Sequence, residues 1–206
     1  IIVLAMIMLI GGDFIVRVSF LITAGFYLAA TLPTILWLRE RAEPQKINRG
    51  ESFLRISFTR LGNTFRAVKS YKEFIKFIVA FLIFNDGIMM TMDFAAIIGA
   101  VLFGMEQQEL IIFMIIVQIT SVAGAYLFGN LSVRLSSKKS LIISLVLMIL
   151  AVLALLVVES IQIFYLIGAV AGFALTGVQS VSRTMTGQFA PEGKSAEFFG
   201  FFEVGG

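Results

Sequence analysis

Apolar residues fill this chain in long blocks separated by short polar interruptions. Ile1–Ile10 is apolar up to Gly11-Gly12-Asp13, and Phe14–Leu38 follows, with Arg17 near its start and Pro33 near its end. After a polar stretch come Phe74–Phe103, Leu110–Leu131, Leu141–Val158 and Ile161–Met185, and a further block opens at Glu197-Phe198-Phe199. The windows Val18–Leu38, Leu110–Leu131 and Leu141–Val158 carry no charge at all. A bilayer core of about 30 Å takes about 20 helical residues to cross. These blocks therefore predict membrane-spanning helices rather than buried helices of a soluble domain. Strict period-two alternation is absent, which argues against a β-barrel. The chain opens on Ile inside one apolar run and closes at Gly205-Gly206 inside another, so a piece of a longer protein is expected.

The polar interruptions differ in sign. Segment 39–73 holds nine Lys/Arg against four acids, and 134–139 holds Arg134, Lys138 and Lys139. The loop Gly104–Glu109 carries only Glu106 and Glu109, and the turn after Val158 carries Glu159. Basic loops stay on the cytoplasmic side of a membrane, so 39–73 and 134–139 are predicted to face the cytoplasm. Within the first of these, Leu54, Phe58, Leu61, Phe65 and Val68 recur at helical spacing, with Arg55, Arg60, Arg66, Lys69 and Lys72 largely off that stripe. A basic amphipathic helix suits the anionic headgroup layer; a plain connector between two helical bundles accounts for it as well.

Composition narrows the chemistry. The chain is 59% hydrophobic and 14% charged, with neither Cys nor His. Thiol catalysis, disulfides and the commonest metal ligands are thereby excluded from it. No phosphate-cradling loop, dinucleotide fingerprint, metal-ligand spacing or nucleophile–base pair is present, so no cofactor, metal or catalytic residue is expected. Nucleic acid is a poor partner, because the basic residues sit at membrane faces without base-stacking architecture.

Against that background the polar residues inside the spans stand out. Asn85-Asp86-Gly87 interrupts the run Phe74–Phe103, and Asp93 follows seven residues after Asp86. An ionised carboxylate at the bilayer centre costs about 2.5–3.5 kcal/mol even on the lenient insertion scale, so such groups face a protein interior or a water-filled path. The spacing puts both aspartates on one helix face, about 10 Å apart along the axis. Gly87, beside two side chains that compete for backbone hydrogen bonds, predicts a local helix break. Asp86 is the candidate for binding or relaying a cation, most simply a proton, and Asn85 for touching solute; a kink cap or a hydrogen bond to a neighbouring helix is the rival account. Gln118, Tyr126 and Gln179 are further candidates for a solute path, or for helix-to-helix hydrogen bonds. Gly168 and Gly172 form a G-x-x-x-G step, and Gly99, Gly104, Gly124, Gly129 and Gly177 recur on the spans, which predicts close helix packing.

Two stretches resemble a known family. Gly129-Asn130-Leu131-Ser132-Val133-Arg134-Leu135-Ser136-Ser137-Lys138-Lys139 resembles the G-x-L-x-D-R-x-G-R-K signature of the major facilitator superfamily. Gly129, Leu131, Arg134 and Lys138 match it, whereas Val133 stands at the acid and Ser136 at the second glycine. Phe84-Asn85-Asp86-Gly87, Gln179 to Arg183, and Pro191 through Phe201 are similar to the vacuole-effluxer-type branch, which includes bacterial permeases and autophagy-related amino-acid effluxers of fungal vacuoles. The resemblance implies an all-α polytopic membrane protein of two helical bundles, here from about span 5 to the start of span 11. It makes 1–38 the end of the N-terminal bundle, 39–73 the cytoplasmic linker and 74–206 a truncated C-terminal bundle.

A secondary transporter follows as the expectation: a small solute, amino acids by resemblance, moved by alternating access with protons as a coupling partner, in a bacterial plasma membrane. A channel, or a non-transporting membrane scaffold acting through the linker helix, remains an alternative. An enzyme is not expected, and this piece alone is not expected to transport.

Overall fold

The structure is a computed structural model that describes residues 3–4, 6–7, 13–38 and 70–203. The predicted amphipathic helix over 54–68 lies outside the described residues. The chain divides into two units, Ile1–Thr59 and Arg60–Gly206. In the first, α1 (Asp13–Trp37) runs through Pro33 and is long and apolar enough to span a membrane. Thr23 and Thr31 donate back to the carbonyls of Ser19 and Tyr27, so their hydroxyls need no external partner.

The second unit holds α2 (Lys72–Phe103), α3 (Gln107–Arg134), α4 (Ser137–Ala154), α5 (Ile161–Phe189) and the short α6 (Ser195–Glu203). The first four are long and apolar enough to cross a bilayer, and no strand occurs among the described residues. Helices α2, α3 and α5 extend beyond their apolar blocks into polar residues, whereas α4 keeps the length of its block and is shifted toward Ser137. The expected loop Gly104–Glu109 shrinks to three residues. Gly104 ends α2 in the left-handed region at φ 62°, and Glu106 and Glu109 form a reciprocal capping box that starts α3. The two acids that marked a loop are thus the cap of a helix. At the far end of α4, Leu155, Leu156 and Val157 donate to carbonyls three residues back, tightening the exit from the span.

Helix α5 is the hub, packing against α2, α3, α4 and α6. Its closest partner is α3, and glycine is the reason. A Cβ on Gly124 would lie 2.2 Å from the Phe173 carbonyl oxygen, and one on Gly172 would lie 2.8 Å from that of Val117. Gly168 and Gly177 receive the rings of Phe113 and Phe128. The order of these pairs makes the two helices parallel. Ser121 donates to the Gly172 carbonyl at 3.0 Å, and Thr176 donates to the Ser121 carbonyl at 2.7 Å. Small residues bring the backbones together, and the hydroxyls then bond across the gap. Gly104, by contrast, serves a cap, and Gly129 has open space around it.

The core is apolar with small hydroxyl residues among it, and the outer faces are apolar as well. Ser132, Ser137, Ser140, Ser144, Ser182 and Thr186 are buried, while Val101, Leu102, Leu156 and Val157 are each at least two-thirds exposed. Outer faces of this kind require lipid. Charge is uneven between the ends, although the connection after α5 is mixed, with Glu192, Lys194 and Glu197. Arg134, Lys138 and Lys139 share a turn, while Glu106, Glu109 and Glu159 lie at the opposite ends of the helices they flank.

Candidate substrate path

Helix α2 carries the residues of greatest interest, and its packing sets their directions. Phe74, Phe77, Phe81, Asn85 and Ile88 form one buried stripe. Three of them anchor in aromatic contacts: Phe74 against Phe198 at 4.4 Å, Phe77 against Phe189 at 5.7 Å, and Phe81 against Phe202 at 4.3 Å between ring centres. With that stripe fixed, the next residue round the helix must point elsewhere. Asn85 is 5% exposed, whereas Asp86 and Asp93 are both on the open face. The compact polar cluster of the sequence is therefore split by the helix, amide inward and carboxylate outward. Neither aspartate has an ion-pair partner among the described residues.

The predicted break at Gly87 does not occur. Helix α2 is continuous from Lys72 to Phe103. A break inside lipid would leave backbone groups without partners, each costing several kcal/mol or so, and Gly87 alone does not outweigh that. Thr91 donates to the Gly87 carbonyl at 2.8 Å, adding a bond at the point where the chain was expected to open.

The other candidates are spread over two helices. Gln118 and Tyr126 are exposed on α3, away from the seam with α5, and Gln179 is half-buried on α5. A small cavity lies inside the bundle between α2, α3 and α5, bounded by Thr91, Met92, Phe113, Phe164 and Gly168. Its lining is almost wholly apolar, and Thr91 already spends its hydroxyl on Gly87. A dry packing void is what such a lining supports, and none of the candidate polar residues borders it.

The loop motif forms a tight turn. Arg134 closes α3, Leu135 and Ser136 make the turn, and Ser137 opens α4. Ser132 and Ser137 share a 2.8 Å hydrogen bond, and Ser140 donates to the Phe128 carbonyl at 3.2 Å. Ser136 adopts φ 139° and ψ 152°, a region that suits glycine. This explains the glycine in the signature that Ser136 replaces. Arg134 and Lys138 are exposed, while Gly129 is half-buried with room for a side chain.

Sequence reasoning passed over the aromatic anchor at the base of α2. Phe198 is fully buried between Tyr71 and Phe74, and Phe202 lies on Phe81. The spacing of Phe74, Phe77 and Phe81 was a visible signal, hidden by the apolar residues around it. An ion pair at 3.4 Å between Arg183 and Glu203 adds a second link between α5 and α6.

Membrane-length helices with apolar outer faces, packed through glycine and serine, define a multi-pass α-helical integral membrane protein. The chain belongs to the family described as vacuole effluxer Atg22 like, whose model matches residues 1–206. Among curated proteins it is 24% identical over 190 residues to a Bacillus subtilis protein named as the uncharacterized MFS-type transporter YxiO, covering 92% of this chain and 44% of the relative. It is 24% identical to autophagy-related protein 22 of Coccidioides immitis, covering 93% and 36%, and 25% identical to that of Eremothecium gossypii, covering 92% and 40%. The chain thus spans less than half the length of these relatives. No solved structure gives a significant match.

Proposed function

We propose that this chain is part of a secondary transporter that moves a small solute across a membrane by alternating access, with Asp86 as its principal cation-binding carboxylate. The observation that carries the reading is the outward placement of Asp86 and Asp93 on an unbroken membrane-length helix whose other face is locked in the core. A carboxylate facing hydrocarbon would be costly, so this face of α2 serves a polar path. Asp86 binds or relays a proton there, and Asp93, about 10 Å further along the axis, extends the same path. Gln118, Tyr126 and Gln179 are the uncharged candidates for solute contact. Asn85 is held in the bundle, on a different face of the helix from Asp86. Family membership and the transporter name of the Bacillus relative support the class; amino acids are the solute class suggested by the effluxer branch.

The test is solute flux into proteoliposomes holding the full-length protein, with amino acids as the first panel. Asp86→Asn is expected to lower proton-driven flux at least tenfold while the protein stays folded, and Asp93→Asn to lower it less. Flux that persists in the double variant would overturn the role of the carboxylates. Absence of flux for every solute, with intact binding to vesicles, would favour the scaffold reading.

A further inference from the structure

One surface of the second unit carries charge that the transport reading does not use. Lys138 and Lys139 stand exposed in the first turn of α4, and Arg134 is exposed three residues before the helix begins. No ion pair engages any of the three among the described residues. Lys138 lies within electrostatic reach of Glu73 at the start of α2. That carboxylate is already held by Lys76 at 2.7 Å, and Lys72 is exposed beside it. At this end of the bundle, where α5 ends and α6 begins, Lys72, Lys76, Arg134, Lys138, Lys139, Arg183 and Lys194 meet Glu73, Glu192, Glu197 and Glu203, and Glu73 and Glu203 are already paired with Lys76 and Arg183. The signature position that would supply another acid is Val133, which is 87% exposed.

Below the lysines, α4 presents an apolar stripe to its surroundings. Ile142, Val146, Ile149 and Leu153 are each about half exposed and follow Lys138 and Lys139 down one broad face of the helix at intervals of three or four residues. The stripe runs about 16 Å along the axis. Cations at the top of an exposed apolar track of that length match an amphiphile with an anionic head and a hydrocarbon tail. A free anion would need only the cations, and a soluble acidic protein could not use the stripe.

We propose that an anionic phospholipid binds this edge of α4, its phosphate at Lys138, Lys139 and Arg134 and an acyl chain along Ile142 to Leu153. The headgroup supplies the negative charge that Val133 does not, and it relieves the repulsion among the crowded cations. Surface attraction of this type is worth about 1 kcal/mol per Lys or Arg, so loss of two lysines is expected to weaken retention about thirtyfold.

The experiment is native mass spectrometry of the full-length protein released from micelles of phosphatidylcholine with phosphatidylglycerol. The wild type is expected to hold at least one more phosphatidylglycerol than the variant Lys138→Gln with Lys139→Gln. The variant Arg55→Gln, Arg60→Gln and Arg66→Gln, which removes linker charge instead, is expected to keep that lipid. Equal retention by the wild type and the turn variant overturns the proposal, as does loss of the lipid in the linker variant alone. Phosphatidylglycerol is also expected to raise the melting temperature of the wild type above its value in phosphatidylcholine. Inorganic phosphate producing the same rise would indicate a free-anion site and overturn the lipid reading. If the glutamine variant is unstable, Lys138→Arg with Lys139→Arg must retain the lipid, and its failure to do so is equally decisive.

Discussion

At residue scale the clearest signal of local cost is Ser136. Its φ of 139° and ψ of 152° fall in a region close to exclusive to glycine, where a residue with a Cβ carries about 1–3 kcal/mol of strain. Its hydroxyl does accept a bond from the Lys139 amide, but at 3.4 Å. Replacing a serine cap by glycine costs only a few tenths of a kcal/mol. The strain is the larger quantity, so Ser136→Gly is expected to stabilise the protein by about 1 kcal/mol. A rise in melting temperature in detergent checks this, and a fall would show that the cap outweighs the backbone. The same comparison clarifies Asn85 and Asp86. The sequence places them side by side, and the apolar residues flanking both obscure the Phe74, Phe77, Phe81 stripe that continues to Asn85. The packing of Phe81 and Ile88 into the bundle decides which of the two faces inward.

At the scale of elements, glycines of one chemical kind have opposite roles, and the difference is measurable. Gly124 sits where a methyl group would meet the Phe173 carbonyl, a backbone atom that cannot swing aside. Gly124→Ala is expected to push α3 from α5 and destabilise the bundle by about 1–3 kcal/mol, the usual range for overpacking. Gly87 has nothing within 4 Å of the position of a Cβ and lies inside a continuous helix. There alanine is expected to stabilise by about 0.5–1 kcal/mol through backbone entropy. Thermal unfolding of the two variants in one detergent tests the pair, and a stabilising Gly124→Ala would refute the close seam. The existence of the spans was legible from the apolar blocks, since bilayer thickness leaves little freedom in helix length. The close approach through Gly168 and Gly172 was legible for the same reason: small residues at a four-residue step have few other uses. The break expected at Gly87 from the neighbouring Asn85 and Asp86 does not form, because Asn85 turns into the bundle and lipid penalises broken backbone bonds. Helix ends were misplaced wherever polar residues such as Glu106 and Glu109 proved to be caps.

At the scale of the whole molecule, charge and burial together predict how the second unit lies in a bilayer. Its buried serines and exposed leucines and valines allow only a lipid surround. Within lipid it could still insert either way up, and the residues at its ends decide between the two. The turn 134–139 holds three cations and no acid, while Glu106 and Glu159 sit in the connections at the other ends of the helices and Glu109 in the first turn of α3. Lys and Arg resist translocation far more than Asp and Glu favour it, so the basic turn is expected on the cytoplasmic side. The absence of cysteine from these 206 residues lets single cysteines report that orientation. Lys139→Cys and Gln107→Cys place thiols at exposed positions on opposite ends of the bundle. In intact bacterial cells expressing the protein, with any cysteine elsewhere in the full chain replaced, a membrane-impermeant maleimide is expected to label Gln107→Cys. Labelling of Lys139→Cys is expected only after the cells are permeabilised. The reverse pattern would put the basic turn outside, contradict the charge rule for this bundle, and remove the lipid site on α4 from the leaflet that faces the cytoplasm.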